Sequence, residues 1–255
     1  MARPTGCAIV PADRPPEPSA WAAPASRCAR YDWPDGAMLY DPVRHVALTA
    51  AVLLPETYGA RAQRVAEGGR QAAWFVSGEF GDGVLRHYQR GGLIARISRD
   101  RYIWQGESRT RCFAEYRVMS ALHARGLSVP APLAAGYWRD GLTYRAALLT
   151  QRIPDVRSLA ARLGDAPVAA IGRAIADMHR AGAWHADLNA YNILIDANDR
   201  VWLIDFDRST LGGISDRQRH ANLERLARSL RKVGADQGVA LAQQLEREYR
   251  AAWGA

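Results

Sequence analysis

Residues 185–207, HADLNAYNILIDANDRVWLIDFD, contain two short apolar runs whose ends carry carboxylate and amide side chains. The runs at 193–195 and 201–204 flank a polar turn at 196–199, which predicts a tight β-hairpin buried on both sides. Polar residues precede the first run and follow the second. The hairpin therefore delivers them to the same end of the structure.

These polar residues are suited to magnesium chemistry. Mg²⁺ prefers one or two carboxylates together with phosphate oxygens and water. We expect Asn192 and Asp205 to bind the metal, which leaves Asp187 to accept the hydrogen bond of an attacking hydroxyl in phosphoryl transfer. The alternative is purely structural, with Asp187 and Asn192 forming turns and Asp205 ending a strand.

The rest of the chain divides into a strand-rich part and a helical part. Strand hairpins are predicted at 71–77 with 83–88 and at 133–138 with 143–150, a helix at 109–124, and further helices at 156–162, 167–180, 216–233 and 237–252. This pattern predicts an α+β protein with a small β-rich N-lobe (36–150), a larger mainly helical C-lobe (151–255) and a cleft between them. Residues 1–35, rich in Pro and Ala, are predicted to be a flexible tail.

Composition excludes several classes of protein. The 255 residues are 48% hydrophobic and 24% charged, as in soluble globular proteins, which excludes a wholly disordered or collagen-like chain. No apolar run reaches the 18 residues expected of a membrane span. Three widely spaced cysteines argue against a disulfide framework or a zinc site. No export signal is recognised, so we expect a cytosolic, reducing compartment.

The formal net charge is +8, and Lys232 is the only lysine in the sequence. One interpretation of the preference for arginine is a GC-rich codon bias. A basic protein also favours phosphate-bearing partners, whether nucleotides, nucleic acid or an anionic membrane. No motif that reads nucleic acid is present, so nucleic acid is not an expected partner.

The order H-x-D-L-x-x-x-x-N and then I-D-F-D resembles the catalytic loop and metal-binding turn of the protein-kinase-like superfamily. Together with GVLRHYQRGGLIAR at 83–96 and LTYRAALLTQRIPDVRSLA at 142–160, it resembles more closely the 3-deoxy-D-manno-octulosonic acid (Kdo) kinases. These enzymes form a branch of the superfamily that phosphorylates the lipopolysaccharide inner core. The resemblance covers roughly residues 60–232 and implies a two-lobed kinase-like fold.

The resemblance also implies a reaction and a location. It implies transfer of the ATP γ-phosphate, with Mg²⁺, to the 4-hydroxyl of Kdo on a lipid A precursor. A lipid-anchored acceptor implies peripheral binding at the cytoplasmic face of the bacterial inner membrane. Two alternatives remain: a kinase for another small hydroxylated substrate, such as an aminoglycoside, and a non-catalytic kinase-like protein that binds nucleotide. The oligomeric state is not predicted.

Position by position, the resemblance makes Asp187 the catalytic aspartate and Asn192 and Asp205 the metal ligands. Kinases also use a strand lysine paired with a helix glutamate to hold the α- and β-phosphates. Here Arg86 stands in the place of the lysine and Glu115 matches its partner. Arginine can grip phosphate through two parallel hydrogen bonds. The alternative is a surface arginine on a strand.

Four further residues of the motif region carry predictions. Gly68 and Gly69 could let backbone amides approach phosphate, with a plain hairpin turn as the alternative. Asp207 replaces the glycine of the kinase turn and is a candidate second metal-facing carboxylate. His185 is predicted to pack and to hydrogen-bond the backbone.

Overall fold

The computed structural model describes residues 28–44, 49–65, 72–89 and 100–254. Its N-terminal region is an eight-stranded antiparallel sheet in which seven strands follow the order β1-β2-β7-β8-β5-β4-β3, and β6 pairs with β8. The strands are β1 (Ala29–Trp33), β2 (Gly36–Tyr40), β3 (Ala62–Arg64), β4 (Ala72–Gly78), β5 (Gly81–His87), β6 (Tyr102–Ile103), β7 (Pro132–Asp140) and β8 (Thr143–Gln151). Short 3-10 turns lie at Ala50–Leu53, Pro55–Arg61 and Glu107–Arg109.

The two predicted strand hairpins are present. β4 and β5 pair with Trp74 opposite Leu85 and close at Gly78 and Gly81. Gly81 has a φ of 86°, which glycine adopts at little cost. The second hairpin, β7 with β8, turns at Gly141, and β8 also pairs with β5. β5 is therefore a central strand, and its backbone is paired on both sides as far as His87.

The helix α1 (Arg111–Ala124) packs against the sheet and ends before Gly126, whose φ is 79°. The apolar side chains of Phe113, Tyr116 and Met119 are all at most 2% exposed. Burial extends around most of the helix, so that Glu115 is also buried. A carboxylate in such a place needs a charged partner.

The C-terminal region is mainly helical. Its elements are β9 (Arg157–Ser158), a 3-10 turn at Leu159–Ala161, α2 (Val168–Arg180), β10 (Ala183–Trp184), β11 (Ile193–Ile195), β12 (Val201–Leu203), β13 (Thr210–Leu211) and α3 (Asp216–Gly254). The predicted hairpin is β11 with β12. Side chains along β11 alternate in burial, with Ile193 and Ile195 buried and Leu194 half-buried.

The helix α3 contains a sharp break at Ala235, where φ is 44°. The break separates two helical segments that match the predicted helices at 216–233 and 237–252. After the break the chain runs close to the first segment, since a Cβ added to Gly238 would lie 2.0 Å from the carbonyl oxygen of Leu230. Only glycine fits at this contact.

Two predictions about local structure are wrong. Residues 156–162 were expected to form a helix, but Arg157 and Ser158 pair with Ile195 and Leu194 of β11. This long-range pairing overrides the local periodicity. The predicted tail at 1–35 is too long, because β1 begins at Ala29 and pairs with β2. Residues 1–27 lie outside the described part of the chain.

One hydrophobic core joins the two regions. It runs from Phe113 of α1 and Leu148 of β8 through Leu159 to Ile171 of α2 and Leu226 of α3. A smaller core covers the other face of the sheet. The α+β arrangement predicted from the sequence is confirmed, and its two regions meet where the 185–207 stretch lies.

No helix in the described ranges is both long enough and apolar enough for a membrane crossing.

Candidate active site

The loop between β10 and β11 carries Asp187 and is braced by its own amide side chains. The Nδ2 groups of Asn192 and Asn189 donate to the main-chain carbonyl of Asp187, at 2.9 and 3.1 Å. Asn189 Oδ1 accepts from the backbone N–H of Tyr191 at 2.8 Å. The Asp187 carboxylate is outside this bracing and is 57% exposed. The main chain at Asp187 is thus fixed, and its carboxylate faces solvent.

The buried ring of His185 joins this loop to the turn after β12. Its Nδ1 accepts from the N–H of Asp187 at 3.1 Å, and its Nε2 lies 3.0 Å from the carbonyl oxygen of Ile204. Burial lowers the pKa of His185, so the ring is neutral and Nε2–H donates to Ile204. The ring also packs on Phe206, with centroids 4.7 Å apart. The predicted packing and backbone role of His185 is confirmed.

Asp205 has a left-handed backbone conformation with a φ of 63°, which aspartate adopts more readily than most residues. The N–H of the preceding Ile204 donates to the carbonyl of Asn192 at 3.1 Å. This hydrogen bond holds the residue before Asp205 against Asn192. The side chain of Asn192 is in turn hydrogen-bonded to the carbonyl of Asp187. The structure brings all three predicted residues together.

Arg86, near the end of β5, connects the sheet to both α1 and the turn. Its Nη2 donates to Glu115 at 2.5 and 2.6 Å, and its Nη1 donates to Asp205 Oδ1 at 2.6 Å. The guanidinium also lies 4.9 Å from the ring centroid of Tyr88. The Arg86 side chain is only 14% exposed. The alternative of a surface arginine does not fit this placement.

The electrostatics of this cluster depend on burial. Burial acts against the charge of Arg86, but the carboxylates of Glu115 and Asp205 outweigh it and raise the pKa of Arg86. Burial raises the pKa of Glu115, and the Arg86 charge acts in the opposite direction. The hydroxyl of Tyr88 donates to Glu115 as well. Glu115 thus has a cation and a hydroxyl as partners, which a buried carboxylate requires.

Asn192 and Asp205 suit a magnesium ion by the chemistry of their donors. Asn192 uses its Nδ2 within the loop, which leaves its side-chain oxygen Oδ1 for a metal. Arg86 engages one oxygen of Asp205, which leaves the other. The described residues contain no group of three or more His, Cys, Asp or Glu side chains that could hold a metal. Two protein oxygens, completed by phosphate and water, are the set that Mg²⁺ commonly accepts. Both assignments stay predictions.

The carboxylate of Asp207 is paired with Arg111, the first residue of α1. Arg111 Nε donates to Asp207 Oδ1 at 2.8 Å, and Nη2 donates to the second oxygen. Both side chains are less than 20% exposed. The interpretation of Asp207 as a second metal-facing carboxylate is wrong, because both of its oxygens are bonded to this guanidinium. Asp207 instead ties α1 to the turn that carries Asp205.

Three residues of α3 contact the catalytic loop and were missed in the sequence. Asn222 Nδ2 donates to the carbonyl of His185 at 2.6 Å, and its Oδ1 accepts from the N–H of His185 at 3.2 Å. Ser229 Oγ accepts from the N–H of Ala190 at 3.1 Å. Arg225 Nη1 lies 3.3 Å from Asp187 Oδ1.

Their spacing of three and four residues places these α3 positions on one helix face. The signal available in the sequence was a polar residue, Asn222, in line with Leu226 and Leu230 of the amphipathic pattern. In the structure Asn222 is only 1% exposed. Gly68 and Gly69 lie outside the described residues, so their predicted contact with phosphate stays a prediction.

The fold and the site together define a kinase-like phosphotransferase. An antiparallel sheet with a buried helix precedes a helical region, and the Asp187 loop and the Asp205 turn lie where the two meet. A family model described as "Lipopolysaccharide kinase (Kdo/WaaP) family" matches residues 56–249, and the chain belongs to that family.

Curated relatives are similar over most of their length. The 3-deoxy-D-manno-octulosonic acid kinase of Stenotrophomonas maltophilia (strain R551-3) is 50% identical over 226 residues, which cover 86% of this chain and 91% of that protein. The protein of the same name from Xanthomonas oryzae pv. oryzae (strain PXO99A) is 52% identical over 227 residues, with the same coverage. The predicted membership in this kinase branch is confirmed.

Proposed function

We propose that this chain transfers the γ-phosphoryl group of ATP to the 4-hydroxyl of Kdo on a lipid A precursor, in the assembly of the lipopolysaccharide inner core. Its family and its relatives of about 50% identity, which carry the name of that kinase, support this assignment. One structural observation carries it. Asp187, Asn192 and Asp205 lie at the junction of the two regions, beside the Arg86–Glu115 pair.

In this proposal Asp187 accepts the proton of the acceptor hydroxyl. The hydroxyl oxygen forms the new bond to phosphorus, the bond between the γ-phosphorus and its bridging oxygen breaks, and ADP leaves with that oxygen. Asn192 and Asp205 would hold Mg²⁺, which would neutralise phosphate charge. The bracing fixes the main chain of Asp187 before the acceptor arrives, which limits the positions open to its carboxylate and reduces the entropic cost of the reaction geometry.

Arg86 has the position and charge to hold the α- and β-phosphates. Glu115 keeps one guanidinium nitrogen in place through two hydrogen bonds. The other nitrogen, Nη1, donates to Asp205 in this structure. When nucleotide binds, Nη1 turns to a phosphate oxygen. This exchange replaces one anionic partner by another and leaves Arg86 paired throughout.

We place the enzyme at the cytoplasmic face of the inner membrane as a peripheral protein, with an N-lobe formed by the sheet and α1 and a C-lobe formed by the helical region. A lipid-anchored acceptor calls for that location. The formal net charge of +8 favours contact with anionic lipid headgroups.

The proposal is tested with labelled ATP and a Kdo-bearing lipid A precursor, followed by locating the phosphate on the product. Free hexoses and aminoglycosides serve as competing acceptors. We expect transfer to the 4-hydroxyl of Kdo and little transfer to the other acceptors. Phosphorylation of an aminoglycoside without transfer to Kdo would refute the assignment while leaving the kinase class intact.

The role of Asp187 is tested in the same assay. We expect Asp187→Asn to lower kcat by about 10²- to 10⁴-fold, the usual contribution of a positioned acid–base group. Asp177→Asn, a change at a half-exposed side chain of α2 that pairs with Arg180, is the matched control and should leave kcat unchanged. An unaltered kcat in Asp187→Asn would rule out the assigned role.

A further inference from the structure

The guanidinium of Arg225 supplies a positive charge beside Asp187 that the catalytic loop does not contain. Residues 185–192 include no lysine or arginine, and Asn189 is neutral. Arg225 Nη1 lies 3.3 Å from Asp187 Oδ1, with the two side chains 46% and 57% exposed. An ion pair of this length and exposure contributes little to stability. The Arg225 guanidinium can therefore engage a ligand that arrives at Asp187.

The backbone that carries Arg225 is fixed relative to the loop. Asn222 and Ser229 of the same helix are hydrogen-bonded to His185 and Ala190, on either side of Asp187. Arg225 lies between them along α3, about 6 Å from Ser229 at 1.5 Å per residue. The helix thus places the guanidinium of Arg225 beside Asp187, the residue proposed to accept the proton of the acceptor hydroxyl.

Under the proposed function, the acceptor is a sugar acid, and its carboxylate is ionised at neutral pH. A guanidinium matches a carboxylate through two parallel hydrogen bonds. We propose that Arg225 binds the carboxylate of the acceptor sugar and so selects an acidic sugar over a neutral one. This inference rests on the proposed function, since it concerns the acceptor of the same site. Arg225 would then determine which acceptor binds, while Asp187 accepts the proton.

The test compares two acceptors and two arginine variants. The acceptors are the Kdo-lipid A precursor and the same molecule with its Kdo carboxylate converted to the methyl ester. The variants are Arg225→Gln and Arg228→Gln. Arg228 is the matched control, because it lies one turn further along α3, is 59% exposed and pairs with Glu224 rather than with the loop.

With the natural acceptor, we expect Arg225→Gln to raise the acceptor KM by about 10- to 100-fold, the range for a lost hydrogen bond to a charged group. The KM for ATP should not change. With the methyl ester, wild type and Arg225→Gln should have the same acceptor KM, because the group that Arg225 recognises is gone. Arg225→Lys should recover part of the affinity, and Arg228→Gln should behave as wild type.

Three results would overturn the inference. An unchanged acceptor KM in Arg225→Gln would show that the residue does not contact the acceptor. Equal loss of kcat on both acceptors, with slower ATP hydrolysis when no acceptor is present, would place Arg225 on the transferred phosphoryl group. Absence of transfer to Kdo by the wild-type enzyme would refute the proposed function itself, and this inference with it.

Discussion

Arg86 binds two carboxylates from different parts of the chain with one guanidinium. Glu115 lies on α1 and Asp205 lies on the turn after β12. A planar fork can serve both partners at once, whereas an ammonium group is a compact point charge. The residue that stands in the place of the kinase lysine therefore also links three elements of the fold.

The buried position of Glu115 makes this link important for stability. We expect Arg86→Met to lower the free energy of unfolding by about 3 kcal/mol, because an unpaired buried carboxylate remains. The double variant Arg86→Met/Glu115→Leu should recover part of this loss, since no unpaired buried carboxylate remains at position 115, although the buried hydroxyl of Tyr88 loses its acceptor. Urea denaturation followed by circular dichroism measures both values.

The control for this prediction is Arg250→Ala. Its partner is Glu246, and the two side chains are 74% and 43% exposed, so the change should be within about 0.5 kcal/mol. A double variant as unstable as Arg86→Met would contradict the explanation by an unpaired charge.

At the level of elements, the pairing of Arg111 with Asp207 attaches the start of α1 to the turn that carries Asp205. The Arg111 guanidinium also lies 4.8 Å from the ring centroid of Tyr102. Glu115 of α1 also reaches this turn indirectly, because Arg86 of β5 pairs with both Glu115 and Asp205. The position of α1, and hence of Glu115, is coupled to Asp205, one of the two predicted metal ligands.

We expect Asp207→Asn to lower kcat by about 10- to 100-fold, because a shift of the turn by about 1 Å can cost that much. The KM for the acceptor should change less than kcat. Exchange of the two charges in Arg111→Asp/Asp207→Arg should restore part of the activity. Steady-state kinetics with the Kdo acceptor measure each effect.

Asp177 and Arg180 of α2 form a more exposed pair away from the turn, and Asp177→Asn should leave both constants unchanged. Full activity in Asp207→Asn would mean that the turn is held without this ion pair.

The sequence predicted those elements whose pattern is local. The β11–β12 hairpin and α2 carry their own periodicity and turn residues, and both are present. The pairing of Ser158 with Leu194 was missed because the partners are far apart in the chain. Asn222 and Arg225 were missed for the same reason, since each contacts a loop nearly 40 residues earlier. The link from Arg86 to Glu115 was available only through resemblance to a family.

At the scale of the whole molecule, a buried polar network joins the end of α3 to the catalytic loop. His179 of α2 lies 2.9 Å from the hydroxyl of Tyr249 and 3.1 Å from Asn222 Oδ1, and Asn222 continues to His185. Burial lowers the pKa of His179 to about 4, with a further contribution from the charge of Arg219. His185 shifts in the same direction through burial.

These shifts predict loss of stability in acid. At a pH between about 6.5, where histidine titrates in the unfolded chain, and about 4, where His179 titrates in the fold, the unfolded state binds more protons. The free energy of unfolding therefore falls as the pH falls through this range, by about 3 kcal/mol for His179. Urea denaturation at pH 7, 5.5 and 4.5 measures the decrease.

The variant His179→Gln should show a smaller decrease between pH 7 and 4.5 than wild type. His220→Gln is the control, because His220 is 68% exposed and should leave the pH dependence as it is. An equal decrease in wild type and His179→Gln would assign the acid sensitivity to other groups.

Under the proposed function, the guanidinium of Arg86 also determines how the nucleotide site reacts with chemical labels. An amine-directed acylating reagent forms an amide with a lysine side chain, so it reports on a phosphate site only where that site contains a lysine. Here that position is arginine, and the single lysine of the sequence, Lys232, lies on the exposed side of α3. An amine-directed electrophile therefore has no lysine to modify at the position of Arg86, so its labelling does not report nucleotide occupancy in this enzyme.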